Sequence, residues 1–216
     1  MVKTEAITLV KEDVLGLGQL VGRTVSETTR LLEKDAQANL TFVEEQEELI
    51  NRSCQEIEER CLALLIEREA LAPQDVRTLL GATVIAAKFE RIADHAVRVA
   101  KMAYWAAEDK IEIPPELPEM AGVVQHMVQD ALLCFLSDAV DKVQGIVQRD
   151  NRVDYLHDSL CKRLLSDLGG QDQAQAQMRA QFLFCSRFLE RMGDACTSIA
   201  KRVYFIVTAE RLKVDP

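Results

Sequence analysis

Apolar residues recur at intervals of three and four along almost the whole chain, and this spacing restricts the possible folds more than any other feature. In the first segment they fall at Val10, Val14, Leu17, Val21 and Val25. That period places them on one face of an α-helix, whereas a half-buried strand would show alternation. With only 9 Gly and 5 Pro among 216 residues, few positions interrupt the pattern. The sequence therefore predicts an all-α protein.

Helix breakers are concentrated at Pro73, at residues 114–118, which hold three prolines, and at Gly169–Gly170. Asp35 and Asp138 mark two weaker boundaries, at which each aspartate is expected to cap the helix that follows. The predicted helices cover residues 4–34, 38–70, 74–108, 118–137, 140–167 and 172–212. The breakers thus predict six helices, three on each side of the Pro-rich segment.

The two halves of the chain are similar to each other. Residues 90–104 align with residues 190–204 at an offset of 100, with six identities in fifteen positions. A repeat of this length indicates that one structural unit occurs twice. We therefore predict two tandem antiparallel three-helix bundles, in domains 1–112 and 113–216.

Acidic pairs occupy matching positions in both halves. Each third helix carries two acids four residues apart, which lie on the same helix face. The second helices align at an offset of 103, so a three-residue deletion is expected before the last helix. The first acidic cluster comprises Glu47, Asn51, Glu90 and Asp94, and the second comprises Asp150, Asp154, Glu190 and Asp194.

These faces can meet in an up-down-up bundle and surround one point in each half. Carboxylates that close together cannot all stay ionised without a cation. Sets of oxygen ligands suit Mg²⁺, Mn²⁺ or iron rather than zinc, which prefers Cys and His. The pattern thus favours two metal sites, and the alternative is a solvated face or one neutralised by Arg91 and Arg191.

The charge balance excludes several classes of partner. With 26 Lys and Arg against 35 Asp and Glu, the net charge is -9, which repels nucleic acid and anionic lipid unless a local basic patch exists. No dense run of Lys and Arg supplies one. No apolar run approaches the ~20 residues of a transmembrane segment, and the N-terminus does not resemble a secretory signal. We therefore expect a cytoplasmic protein that binds no nucleic acid.

Several polar side chains are expected to have ordinary structural roles. The six cysteines show no metal-binding spacing and are expected to be reduced core residues. Lys101 has no carboxylate one turn back on its own helix and is expected to be solvated. His95 is expected to be exposed, and all three histidines are left out of the predicted site.

The acidic motifs resemble those of the PhoU family over essentially the whole chain. The family's E(D)xxxD signature is found as Glu90 to Asp94 and as Glu190 to Asp194, and its upstream acidic element as Asp150 to Asp154. Asn51 departs from the pattern and leaves the first cluster one charge poorer. The resemblance implies an all-α, usually dimeric cytoplasmic protein with multinuclear metal clusters on these motifs. It also implies a negative regulator of phosphate uptake and phosphate-starvation signalling, which acts with the phosphate ABC transporter and its sensor kinase.

Two other functions fit parts of the sequence. A ferritin-like carboxylate metalloenzyme would need a Glu-xx-His on each of two helices, and Asp154 with His157 is the nearest approach. A metal-free helical scaffold would leave the acidic stripes as solvated faces. No glycine-rich phosphate loop or nucleophile with an adjacent base is visible, and we predict that the protein is not an enzyme.

Overall fold

The computed structural model describes residues 2–67, 71–166 and 173–212. Within these ranges the chain forms six α-helices and one 3-10 turn, and no strand. The helices are α1 (Val2–Leu32), α2 (Leu40–Ile66), α3 (Pro73–Glu108), α4 (Glu116–Ser137), α5 (Val143–Ser166) and α6 (Gln173–Thr208), and the 3-10 turn is Val140–Lys142. The predicted all-α fold of six helices is confirmed.

Most helix ends lie within a few residues of their predicted positions. Helix α6 ends at Thr208 rather than at 212, because Ala209 takes a left-handed φ of 60°. Helix α5 starts at Val143 rather than at 140, because residues 140–142 form the tighter 3-10 turn. The predicted ends at 70, 167 and 172 lie outside the described residues.

The two predicted aspartate caps are wrong. Asn39 caps α2, where its side-chain oxygen accepts a hydrogen bond from Phe42 N at 3.3 Å. Asp35 instead accepts from the amide of Gln37 inside the connecting turn. Asp138 ends α4 in the left-handed conformation and its carboxylate binds Lys11 Nζ of α1 at 3.1 Å.

The third helix of each half packs against the other two, so that α3 contacts α1 and α2 and α6 contacts α4 and α5. The halves join through α3 against α6 and α1 against α4. Gly81 permits the close packing of α3 against α6, since a Cβ there would lie 2.3 Å from Ile206 Cδ1. Gly18 permits the close packing of α1 against α4, since a Cβ at this position would lie 2.5 Å from Leu132 Cδ1. In the described ranges, α2 and α5 contact no helix of the other half.

Burial supports the offset of 103 between α2 and α5. Four buried residues of α2 have a buried apolar residue of α5 at 103 positions later. The pairs are Val43 and Ile146, Ile50 and Val153, Ile57 and Leu160, and Cys61 and Leu164. On α3 and α6 the buried positions follow the offset of 100, as with Ile92 and Met192. The register that pairs the acidic motifs is thus also the register of the core.

Helix α4 is long and apolar enough, by length and composition alone, to cross a membrane. Its buried side chains, which include Leu117, Val124 and Phe135, belong to the core shared with the other helices. A core helix of a bundle passes the same test of length and hydropathy.

All six cysteines are free thiols. Four of them are buried, and Cys54 and Cys161 are half-buried. Their burial agrees with the prediction of small core residues.

Candidate functional site

Asp150 occupies the centre of the second acidic cluster, between α5 and α6. Its Oδ2 accepts a hydrogen bond from Thr197 Oγ1 at 2.9 Å. Its Oδ1 is buried and has no hydrogen-bond partner among the described residues. A Cβ at Gly193 would lie 2.7 Å from this oxygen, so glycine is what lets the carboxylate approach α6. The result is a buried acceptor with unused hydrogen-bonding capacity.

The environment of Asp150 favours its neutral form. Burial raises its pKa to about 6, against the opposing hydrogen bond from Thr197, and the charges of Asp154 and Asp194 raise it further. Burial also raises the pKa of Asp154, and Asp194 adds to that effect. Three of the four predicted acids of this cluster are therefore close enough to repel one another. A bound cation would relieve that repulsion.

Glu190, the fourth predicted acid, is directed elsewhere. Its carboxylate forms an ion pair with Arg187, one turn earlier on α6. The sequence suggested Arg191 as the neutralising residue, but Arg191 forms no ion pair within the described part of the chain. The helical spacing of three residues explains the choice, since it places Arg187 on the same face as Glu190.

The first acidic cluster is more weakly assembled. The pKa of Glu90 is raised by burial and then by Asp94, with a smaller contribution from Glu47, while Arg91 opposes the shift. Asp94 binds Arg98 on the same helix at 3.1 Å. Asn51 is exposed and carries no charge. The first cluster therefore provides fewer free carboxylates to a cation than the second cluster does.

In the described residues, no three His, Cys, Asp or Glu side chains converge closely enough to hold a metal ion in this conformation. The donor chemistry of the second cluster nevertheless fits a hard cation. Its candidate ligands are all carboxylate oxygens, and Asp150 Oδ1 is buried without a partner. Asp150, Asp154 and Asp194 are the residues that would hold such an ion.

Two expectations about neighbouring side chains are wrong. His95 is only 7% exposed, and its ring stacks on Phe188 of α6 with the centroids 5.3 Å apart. Burial lowers the pKa of His95, against the opposing charge of Asp94. Lys101 binds Glu44 of α2 at 3.1 Å. Both residues find their partners on another helix, which periodicity within one helix cannot reveal.

Sequence reasoning also missed a groove of about 650 Å³ between α3 and α6. Its charged lining residues are Lys88, Arg91, Asp94, Arg98, Arg187, Arg191 and Asp194. We call this feature the basic groove. The basic residues are scattered along two helices 100 positions apart, so no run in the sequence indicates it.

A family model described as the PhoU domain matches the chain twice, at residues 14–103 and 117–203. The chain belongs to the PhoU family. Each match covers most of one three-helix unit and includes its acidic motif.

Two relatives of this chain are named as PhoU homologs of the phosphate-specific transport system. The chain is 24% identical to a phosphate-specific transport system accessory protein PhoU homolog of Clostridium acetobutylicum, over 94% of this chain and 93% of that one. It is 29% identical to a protein of the same name from Synechocystis, over 96% and 92% respectively.

Solved PhoU structures share the fold. The crystal structure of PhoU from Pseudomonas aeruginosa superposes with a TM-score of 0.88 at 26% identity, covering 96% of this chain and 99% of that one. The phosphate transport system regulatory protein PhoU from Streptococcus pneumoniae gives a TM-score of 0.86 at 24% identity, covering 98% and 100%.

Proposed function

We propose that this PhoU-family protein is a negative regulator of phosphate uptake and of phosphate-starvation signalling. It would act through contacts with the ATPase of the phosphate ABC transporter and with the phosphate sensor kinase. The observation that carries the proposal is the double family match, which covers both halves. Relatives aligned over nearly their full length are named as accessory proteins of phosphate-specific transport.

We also propose that the acidic clusters bind divalent or iron ions, with the second cluster the stronger site. Support comes from the mutual repulsion among Asp150, Asp154 and Asp194. The buried, unpartnered Oδ1 of Asp150 is a further ligand atom. When bound, such an ion would supply positive charge that neutralises this face and orders the side chains of α5 against those of α6.

The double substitution Glu190→Gln and Asp194→Asn is expected to lower bound Mn²⁺ while the helical content stays unchanged. Both amides keep the size of the acids. Asp194→Asn removes the charge of a proposed ligand, and Glu190→Gln leaves the Arg187 guanidinium without its partner, so both changes make this face less attractive to a cation. Equilibrium dialysis followed by elemental analysis measures the bound metal, and far-UV circular dichroism checks the fold.

The matched control is Glu56→Gln with Glu59→Gln, two exposed acids of α2 that lie outside both clusters. It removes the same two charges and should leave bound Mn²⁺ unchanged. Glu90→Gln with Asp94→Asn should cause the smaller loss, because the first cluster already holds Asn51. Equal metal content in the Glu190/Asp194 variant and the parent would refute the metal site.

The regulatory proposal predicts direct association with two proteins. A tagged copy of this chain should retain the transporter's ATPase and the sensor kinase on an affinity column, with and without Mn²⁺ as separate arms. A tagged, unrelated helical protein of similar net charge is the control. Failure to retain either protein in both arms would contradict the proposed contacts.

A non-enzymatic role is part of the proposal. The relatives are named as accessory proteins. His157, the histidine that a ferritin-like site would use, contacts other side chains. His157 Nδ1 lies 2.9 Å from Ser186 Oγ and its ring also contacts the thiol of Cys161. The dimer and the cytoplasmic location implied by the family resemblance stay predictions.

A further inference from the structure

The basic groove concentrates positive charge in an acidic chain. Its lining holds five basic side chains and two carboxylates, a formal charge of +3, in a protein of net charge -9. The basic residues come from both halves: α3 provides Lys88, Arg91 and Arg98, and α6 provides Arg187 and Arg191. Like charges gathered in a concave surface repel one another and attract a counter-anion.

Two of these arginines have no carboxylate partner. Arg98 binds Asp94 and Arg187 binds Glu190. Arg91 and Arg191 are exposed and form neither an ion pair nor a hydrogen bond within the described ranges. They are equivalent positions of the repeat at the offset of 100, so each half contributes one unpaired guanidinium to the same groove.

The chemistry of a guanidinium points to a phosphate group. Its planar N–H donors match pairs of oxygens on phosphate, and two arginines on facing helices can hold one multiply charged anion between them. Of the two carboxylates in the lining, Asp94 is already bound by Arg98. Asp194 offsets one further positive charge, and the lining keeps its formal charge of +3. This excess favours a ligand with more than one negative charge.

The size and floor of the groove indicate a ligand larger than inorganic phosphate. A volume of about 650 Å³ falls within the range of small-molecule sites, which is about 300–1,000 Å³. The floor is a fixed aromatic layer, in which His95 stacks on Phe188. The Arg98 guanidinium lies 5.7 Å from the centroid of the Phe188 ring. His95 is buried, Phe188 is half-buried and Arg98 is exposed, so the aromatic layer lies beneath a guanidinium that a ligand can reach.

We propose that the basic groove between α3 and α6 binds a small phosphate-bearing polyanion, of the size of a nucleoside triphosphate or a short polyphosphate, with Arg91 and Arg191 as the principal ligands. The groove borders the proposed cation sites, with which it shares Asp94 and Asp194, but its proposed ligands Arg91 and Arg191 belong to neither cation site. A ligand held there would bridge the two halves of the chain, since each half provides one arginine.

Isothermal titration calorimetry tests the proposal with three probes: ATP, sodium tripolyphosphate and inorganic phosphate. The buffer contains EDTA, so that a metal ion in the acidic clusters cannot mediate binding. We expect the parent to bind ATP, tripolyphosphate or both more tightly than inorganic phosphate. Arg91→Gln with Arg191→Gln should weaken that binding by about 100-fold, roughly tenfold for each lost charged hydrogen-bond donor.

The matched control is Arg52→Gln with Lys162→Gln, two exposed residues of α2 and α5 outside the groove. It makes the same change in net charge and should leave the affinity within about twofold, because distant surface charges are screened. Arg91→Lys with Arg191→Lys keeps the charge but loses the paired donors, so it should show an intermediate loss and also serves if the glutamine variant does not fold.

The probes separate the possible ligands. Binding of ATP without tripolyphosphate would assign the groove to nucleotides, and binding of both would assign it to the phosphate chain. Absence of heat with all three probes, or an equal loss of affinity in the control and the groove variant, would overturn the proposal. Because EDTA is present throughout, this result is independent of whether the acidic clusters bind metal.

Discussion

Replacing Phe89 with alanine is expected to lower the free energy of unfolding by about 3–5 kcal/mol, the usual range for deleting a buried aromatic ring. Phe89 is completely buried on α3, the helix that packs against α1, α2 and α6. The substitution would therefore leave a cavity in the buried core. Urea denaturation followed by far-UV circular dichroism measures the loss.

Phe184→Ala provides the matched control, since this phenylalanine lies on α6 and is 64% exposed. It should change the free energy of unfolding by no more than about 0.5 kcal/mol. Similar losses in the two variants would show that Phe89 does not lie in the hydrophobic core.

Asp150→Asn is expected to flatten part of the pH dependence of stability in the metal-free protein. The pKa of Asp150 is about 6 in the folded state, against about 4 for an unfolded aspartate. Between these values the folded protein holds a proton that the unfolded chain has released, so stability falls as the pH rises. From pH 4 to pH 7 the parent should lose on the order of 2 kcal/mol more than the variant.

Urea denaturation in EDTA at several pH values between 4 and 7 measures this difference. Asp158→Asn is the control, because it removes an exposed carboxylate from the same helix. It should leave the pH dependence close to that of the parent. A parent and Asp150→Asn variant with parallel pH profiles would contradict the buried, charge-disfavouring environment of Asp150.

The helices and the pairing of the acidic motifs could be predicted from the sequence because both are periodic. Apolar residues three and four apart specify a helix whatever it packs against. The repeat offsets of 100 and 103 identified equivalent positions before any contact was known, and burial at Ile50 and Val153 follows the second offset. The charges of Asp94 and Glu47 do raise the pKa of Glu90, and those of Asp154 and Asp194 raise the pKa of Asp150.

The capping residues of the helices and the partners of single charged residues could not be predicted in this way. Aspartate is a common N-cap residue, yet the carboxylate of Asp138 pairs with Lys11, which lies 127 positions away in the sequence. Lys101 pairs with Glu44 across two helices. Such pairs depend on the angle and the register at which two helices pack, and a pattern along one helix carries no information about either.

The sequence by itself determined the helical class, the duplication and the positions of the acidic motifs, because each is encoded in local spacing along one chain. Only the tertiary structure decided that His95 is buried against Phe188, that Asp150 Oδ1 has no partner among the described residues, and that scattered arginines form the basic groove. The physical reason is that desolvation and Coulomb interactions depend on distance in space. Packing α3 against α6 is what brings residues 100 positions apart into one site.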